Sequence, residues 1–220
     1  GYNYKGHLIN IPEAQAIRLP TAERLGNTFA ELLSASTGNG SANFPQDDDG
    51  ITRRAPTAIY FKGPGHVYPT LPFAAAMDIL GIPDTGLDYD YDHNLLTLTD
   101  TTGRVVREIP IDDQGRMFVN FIGYFKTFYY LPYSYCFNPE MLAPEYWKDR
   151  IAIVGSSLPG LMDLKNTPVQ ESFSGVEIHA NVLYSLLKNK FVRVIPVDTS
   201  NLAIIVLCVI VGLFTSILKK

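Results

Sequence analysis

The sequence predicts a mixed α/β domain, with sheet and flanking helices, followed by one transmembrane helix. Three observations carry this. An uncharged apolar run from Leu202 to Leu218 stands near the C-terminal end, short strand-like runs alternate with helical patterns upstream, and a long amphipathic pattern from Val176 to Lys190 follows Gly175. Residues 1–199 form the predicted α/β unit, and residues 200–220 the span with Lys219 and Lys220 behind it.

Taken in chain order, Gly1 to Tyr4 shows no basic stretch leading into an apolar core, so no signal peptide is visible. Ala22 to Leu33 places Leu25, Phe29, Leu32 and Leu33 on one helical face, with Thr21 as N-cap, and Ser34 to Asn43 reads as a polar loop. Thr57 to Phe61 reads as a strand ended by Gly63, Pro64 and Gly65. Pro69 to Leu80 reads as a helix closed by Gly81. Asn94–Thr99 and Arg104–Ile109 flank Asp100 to Gly103 as a hairpin, the glycine standing where the turn needs positive φ. Met117 to Phe121 is a further strand, led in by Gln114 and Gly115. Ile151 to Val154 reads as a short buried-type strand running into Gly155, Ser156 and Ser157. In the pattern that follows Gly175, Val176, His179, Ala180, Leu183, Leu186 and Leu187 recur at helical spacing.

The 17 residues from Leu202 to Leu218 would rise roughly 26 Å as a helix, at the short edge of what crosses a bilayer core. Thr215 and Ser216 can bond back to their own helix carbonyls, and no polar face interrupts the run, which favours a span over a buried core helix. Positive-inside bias places Lys219 and Lys220 in the cytoplasm and everything upstream outside it. The formal net charge of -4 gives no reason to expect a nucleic-acid partner. Cys136 and Cys208 form no disulfide framework or zinc spacing, because Cys208 lies inside the apolar run.

Candidate sites are few. Asp47, Asp48, Asp49 and Gly50 suggest calcium, but setting Gly50 at the sixth position of an EF-hand loop puts Pro45 first and Pro56 twelfth. An acidic turn paired with Arg53 and Arg54 is the plainer reading. The loop after Val154 lacks the glycine spacing of a dinucleotide site and the lysine of a phosphate loop. Ser156 or Ser157 with His179 and Asp163 could be drawn as a hydrolase triad, yet no nucleophile-elbow pattern is present. Glu177 and His179 stand two apart on a helix and point to different faces, so they do not share a metal. The aromatic stretch from Phe118 to Phe137 suits either an apolar ligand pocket or core plus interface. No catalytic residue, metal or cofactor is expected. Ligand-binding or signalling candidates are Asp49, Arg53, Arg54, Ser156, Ser157, Asp163, His179 and Asn181.

Several of these pieces occur together in one family. Asn43, Phe44 and Pro45 precede the acidic turn, Arg53, Arg54 and Pro56. Ile111 and Asp112 lead through Gly115 to Asn120 and Gly123. Arg150 to Gly155 is followed by Asp163, Thr167, Pro168, and then Gly175 to Asn181 with Leu186 and Leu187. In this order ahead of a membrane span, over roughly residues 40 to 220, the chain resembles the second type of CHASE domain, a cyclase/histidine-kinase-associated sensory extracellular domain. The resemblance implies a bacterial inner-membrane receptor whose residues 1–199 are periplasmic or extracellular. It also implies a homodimer, a small-molecule or protein stimulus, and a cytoplasmic output domain, first a class III adenylate or guanylate cyclase and otherwise a histidine or Ser/Thr kinase. A chain cut at both ends is also expected, since the family carries an N-terminal membrane helix and further α/β sequence, of which Tyr2 to Tyr4 resembles a strand's tail.

Overall fold

The computed structural model describes residues 5–24, 26, 29–138, 140, 143–156, 163–195 and 197–218. Along the chain run α1 (Glu13–Ala16), β1 (Thr21–Ala22), α2 (Ala30–Ala35), β2 (Arg54–Pro56), β3 (Ala58–Phe61), β4 (His66–Pro69) and α3 (Leu71–Leu80). They are followed by β5 (Leu87–Asp90), β6 (Leu95–Thr99), β7 (Val105–Pro110), β8 (Arg116–Phe118), β9 (Leu164–Lys165), β10 (Phe173–Ser174), α4 (Gly175–Lys188) and α5 (Val197–Leu218). Two 3₁₀ turns, Tyr133–Phe137 and Pro144–Trp147, lie between β8 and β9.

The strands form small sheets. β1 runs parallel to β3, and β3 antiparallel to β4; β5, β6 and β7 make an antiparallel meander; β2 pairs with β8, and β9 with β10. The alternation of Leu96 and Leu98 with threonines puts both leucines inside, Leu96 opposite Ile109 of β7, while Leu87 and Tyr89 of β5 fill the same layer. On the helical side α3 packs against α4. Phe73, Ala76 and Met77 of α3 and Ile178, Val182 and Leu186 of α4 belong to one continuous core with the meander. Helices on mixed sheets, with an apolar helix after them, are the predicted class.

Most expected elements are present. The β6–β7 hairpin turns at Gly103 with φ +82°, and α3 ends at Gly81 in the left-handed region. Three expectations fail. Thr21 is no helix cap: with Ala22 it pairs with Tyr60 and Phe61, and the helix shrinks to Ala30–Ala35. Its apolar stripe is mostly exposed, with Phe29 at 77%, Leu32 at 60% and Leu33 half-buried; Leu25 lies outside the described residues. Ile151 to Val154 make no strand and are exposed, with Val154 at 74%. A β-prone run becomes a strand only where a neighbour's edge pairs its backbone groups, and among the described residues none does so here. Finally, β4 takes Pro69 from the expected helix, which starts at Leu71, and β5 forms where no element was expected.

α5 extends N-terminally beyond the apolar run. It has 22 residues, about 33 Å of helix, and Thr199–Leu218 has a mean hydropathy of 2.6 with none of its residues buried in the protein. That length removes the shortness of the run and suffices to cross a bilayer core. Thr215 Oγ1 donates back to the Val211 and Gly212 carbonyls at 3.0 Å, so its hydroxyl is satisfied within the helix. Lys219 and Lys220 lie outside the described residues.

Candidate functional site

The densest polar chemistry in the core sits on α4. Ser174 and Glu177 have the spacing of a capping box, yet the box does not form. Ser174 Oγ donates instead to the Ser156 carbonyl at 3.3 Å, and the Glu177 side chain turns away to a loop some fifty residues earlier. Glu177 is 2% exposed. Its Oε2 accepts the Lys126 N–H and the Tyr130 hydroxyl, both at 3.0 Å, and its Oε1 accepts the Thr127 N–H at 3.0 Å and the Phe128 N–H at 3.4 Å. A buried carboxylate is costly unless its lone pairs are filled, and here donors of the loop fill them in place of a cation. Burial, and then the carboxylate beside it, push the Tyr130 hydroxyl far above its ordinary value, so it stays protonated and donating.

One turn on, Asn181 is 1% exposed and continues the stripe. Its Oδ1 accepts the Ile122 N–H at 3.0 Å, its Nδ2 donates to the Glu177 carbonyl at 2.8 Å, and Ser185 Oγ donates to the Asn181 carbonyl at 2.8 Å. Gln170 Oε1 accepts the Phe125 N–H at 3.1 Å from a second loop. Residues 122–130 are thus tied to the N-terminal half of α4 by backbone N–H groups, with Lys126 at φ +68° as the loop bends around Glu177. The aromatic stretch divides accordingly. Phe121 and Phe125 stand edge-on to buried Phe173, and Phe128 packs on Tyr184 of α4, whereas Tyr124, Tyr129, Tyr133 and Phe137 are exposed.

His179 points elsewhere, as its two-residue offset from Glu177 requires. Its ring lies 4.3 Å from that of Phe44, with a hydrogen bond to the Ala42 backbone, and its buried Nδ1 has no partner among the described residues. Burial lowers its pKa, partly opposed by the Asp163 carboxylate and the Ala42 bond. Asp163 anchors the same helix end: its carbonyl accepts the Gly175 N–H at 2.8 Å, and its carboxylate occupies the space that a Cβ on Gly175 would need. Gly155 likewise leaves room for Val176. His179 and Asn181 therefore stand on α4, and Ser156 and Asp163 meet its N-terminal end. Ser157 lies outside the described residues. Neither ring nitrogen of His179 meets a serine hydroxyl among the described residues.

Asp49, Arg53 and Arg54 stand apart, in a network of three carboxylates and three guanidiniums. Arg53 holds Asp49 at 2.7 Å, Arg54 holds Asp47 at 2.8 Å, and Arg116 holds Asp112 at 2.8 Å, with longer pairings from all three arginines cross-linking the set. The Arg53 bond, with that from the Ile51 N–H, draws the exposed Asp49 carboxyl down to about 2. Arg54 also lies 4.6 Å over the Phe118 ring, its partner across the β2–β8 pair. These residues join a turn to two strands. One backbone bond, Thr52 N–H to the Asn166 carbonyl at 2.7 Å, links the turn to the loop before α4.

A model of the CHASE2 domain matches residues 8–214, most of the chain and most of α5. The chain belongs to the CHASE2 family. Domains of this family are extracellular, non-catalytic sensory units of receptors. The match begins well upstream of the residues that carried the sequence resemblance, so α1, β1 and α2 belong to the CHASE2 domain as well. No curated protein and no solved structure matches the chain.

Within this CHASE2 domain, sequence reasoning singled out His179 and Asn181, weighed Glu177 only as a metal ligand and Tyr130 only as part of the aromatic stretch, and passed over Gln170. The available signal was Glu177 itself, a carboxylate between Val176 and Ile178 in a helix whose preceding residue offers a cap. It also passed over Arg107, whose guanidinium donates from Nε to the Leu186 carbonyl at 2.6 Å and from Nη2 to the Leu187 carbonyl at 2.9 Å, closing the other end of α4.

Proposed function

We propose that this chain is the extracytoplasmic sensor of a bacterial inner-membrane receptor, and that α4 is the element whose position is passed through α5 to a cytoplasmic output domain. The observation that carries the reading is the continuity of α4 with α5. α4 is fixed at its start by Glu177, Asn181 and Asp163 and at its end by Arg107, and only residues 189–196 separate it from α5. Eight residues reach at most about 29 Å, so displacement of α4 is felt where α5 enters the bilayer. A stimulus acts by binding one arrangement of α4 and its loops more tightly than another. Residues 1–199 form the sensor and 200–220 the anchor. The candidates on α4, with Ser156, Ser157 and Asp163 beside it, are signalling residues, and Asp49, Arg53 and Arg54 keep the acidic turn in place. The output is a class III adenylate or guanylate cyclase, which requires two catalytic domains and hence a homodimer.

The test is cyclic-nucleotide production by the full-length parent protein in membranes, for the natural sequence and for His179→Ala. Cyclisation of a purine nucleotide that changes with this distant substitution supports the reading. An intact parent without cyclase activity moves the output to a histidine or Ser/Thr kinase. Cyclase activity indifferent to His179 removes that residue from the coupling path.

A further inference from the structure

The end of α4 carries a second feature that sensing through Glu177 does not use. Between β7 and the stretch leading to α5 lies a cleft of about 330 Å³ lined by Val105 to Glu108, Asn189, Phe191 and Arg193. Arg107 is held rigidly in its wall by three backbone carbonyls, those of Val106, Leu186 and Leu187. A guanidinium has five N–H donors, so two remain for a further acceptor. Neither Arg107 nor Arg193 pairs with a carboxylate among the described residues. Lys188 and Lys190 add two cations along the chain, and no acidic residue occurs from Leu186 to Ile195. Glu108 is the one carboxylate among the described residues of the lining. On a chain of net charge -4 this is a local concentration of the opposite sign.

Position decides what such a site meets. Arg193 is four residues before Val197, the first residue of α5, so it lies within about 13 Å of the membrane helix. Basic residues beside the outer end of a span run against the positive-inside bias. We infer that this juxtamembrane cleft docks the phosphate headgroup of an anionic membrane lipid, between Arg107 and Arg193. The phosphate oxygens take the free donors of Arg107, the Arg193 side chain closes over them from the linker, and the diacylglycerol stays in the bilayer beside α5. A lipid seated there ties β7, the end of α4 and the linker to the membrane surface.

The inference rests on α5 spanning a bilayer, and the experiment separates the two. The full chain is reconstituted into vesicles of equal phosphatidylglycerol and phosphatidylcholine and washed with alkaline carbonate. It is then extracted into mild detergent, and its retained lipids are identified by native mass spectrometry. Phosphatidylglycerol retained about tenfold over phosphatidylcholine, with the preference lost in the exposed variant Arg193→Gln and weakened in Arg107→Lys, is the expected result. Inorganic phosphate at millimolar concentration should not displace the lipid. Displacement by phosphate would make the site one for a free anion and overturn the lipid assignment. A chain that resists carbonate yet retains both lipids alike overturns the docking alone, and a chain that carbonate strips away overturns the span and the docking together.

Discussion

α4 and α5 follow one another near the C-terminal end and invert each other's burial. In α4 the polar side chains Glu177, His179, Asn181 and Ser185 are buried, each at 8% exposure or less. In α5 the apolar side chains are the exposed ones, with Leu202, Leu207, Leu213 and Ile217 all above 60%. Both helices form for the same local reasons, an unbroken hydrogen-bonded backbone and few helix breakers. What differs is the surroundings each side chain needs. The polar groups of α4 are satisfied only by backbone donors and acceptors of particular loops, so α4 is specific to one arrangement of this protein. The side chains of α5 need only an apolar medium, and any bilayer supplies it. In the proposed reading the first helix responds to its neighbours and the second holds that response at the membrane.

The sharpest way to break this contrast is to remove the acceptor on α4. Glu177→Leu leaves three backbone N–H groups and the Tyr130 hydroxyl facing an apolar side chain, a loss of about 3–5 kcal/mol by the usual cost of stranding buried polar partners. Urea denaturation of the full chain in micelles, followed by near-UV circular dichroism, measures it. A loss under ~1 kcal/mol would mean that the loop is not held by the carboxylate. The opposite exchange tests α5: Val209→Arg, near the middle of the helix, should cost about 3 kcal/mol of insertion, read as the fraction resisting carbonate extraction. If the arginine inserts as well as valine, α5 is not lipid-facing there.

A smaller effect comes from His179. Its pKa is lowered in the folded protein, so the fold favours the neutral ring. As pH falls below the unfolded value of about 6.5, the unfolded chain binds a proton that the folded chain does not yet take up, and stability drops. Above that value the contribution is constant. Stability of the natural chain should therefore decline between pH 7 and 5 more steeply than that of His179→Phe, which has no ring proton to gain. Parallel pH profiles for the two would show that His179 carries none of the dependence.

How far the molecule could be read from its sequence follows the same contrast. α5 was legible as a long apolar helix because composition is displayed by a single run. α4 was legible as a helix from its 3.6-residue period, and the β6–β7 hairpin from alternating leucines around a glycine turn. The pairing of Arg53 and Arg54 with the acidic turn was legible from their closeness in sequence. The role of Glu177 was not, because its partners are the backbone N–H groups of Lys126, Thr127 and Phe128, and every residue but proline has one. The failure at Ile151 to Val154 has a related cause: apolar, β-branched residues show capacity for a strand and say nothing of the edge it must meet. Thr21 was misread for want of the same knowledge, since its pairing with Tyr60 depends on a strand met nearly forty residues later.

The most direct test of the central claim, that buried Glu177 fastens the loop at residues 122–130 to the start of α4, is hydrogen exchange on the full chain in nanodiscs. The natural sequence is compared with Glu177→Gln, whose amide presents donors where the loop needs acceptors. Amides of Phe125 to Tyr130 and of the N-terminal half of α4 should together exchange about tenfold faster or more, with those of α5 unchanged. Faster exchange confined to the loop, with α4 as protected as before, would contradict the account.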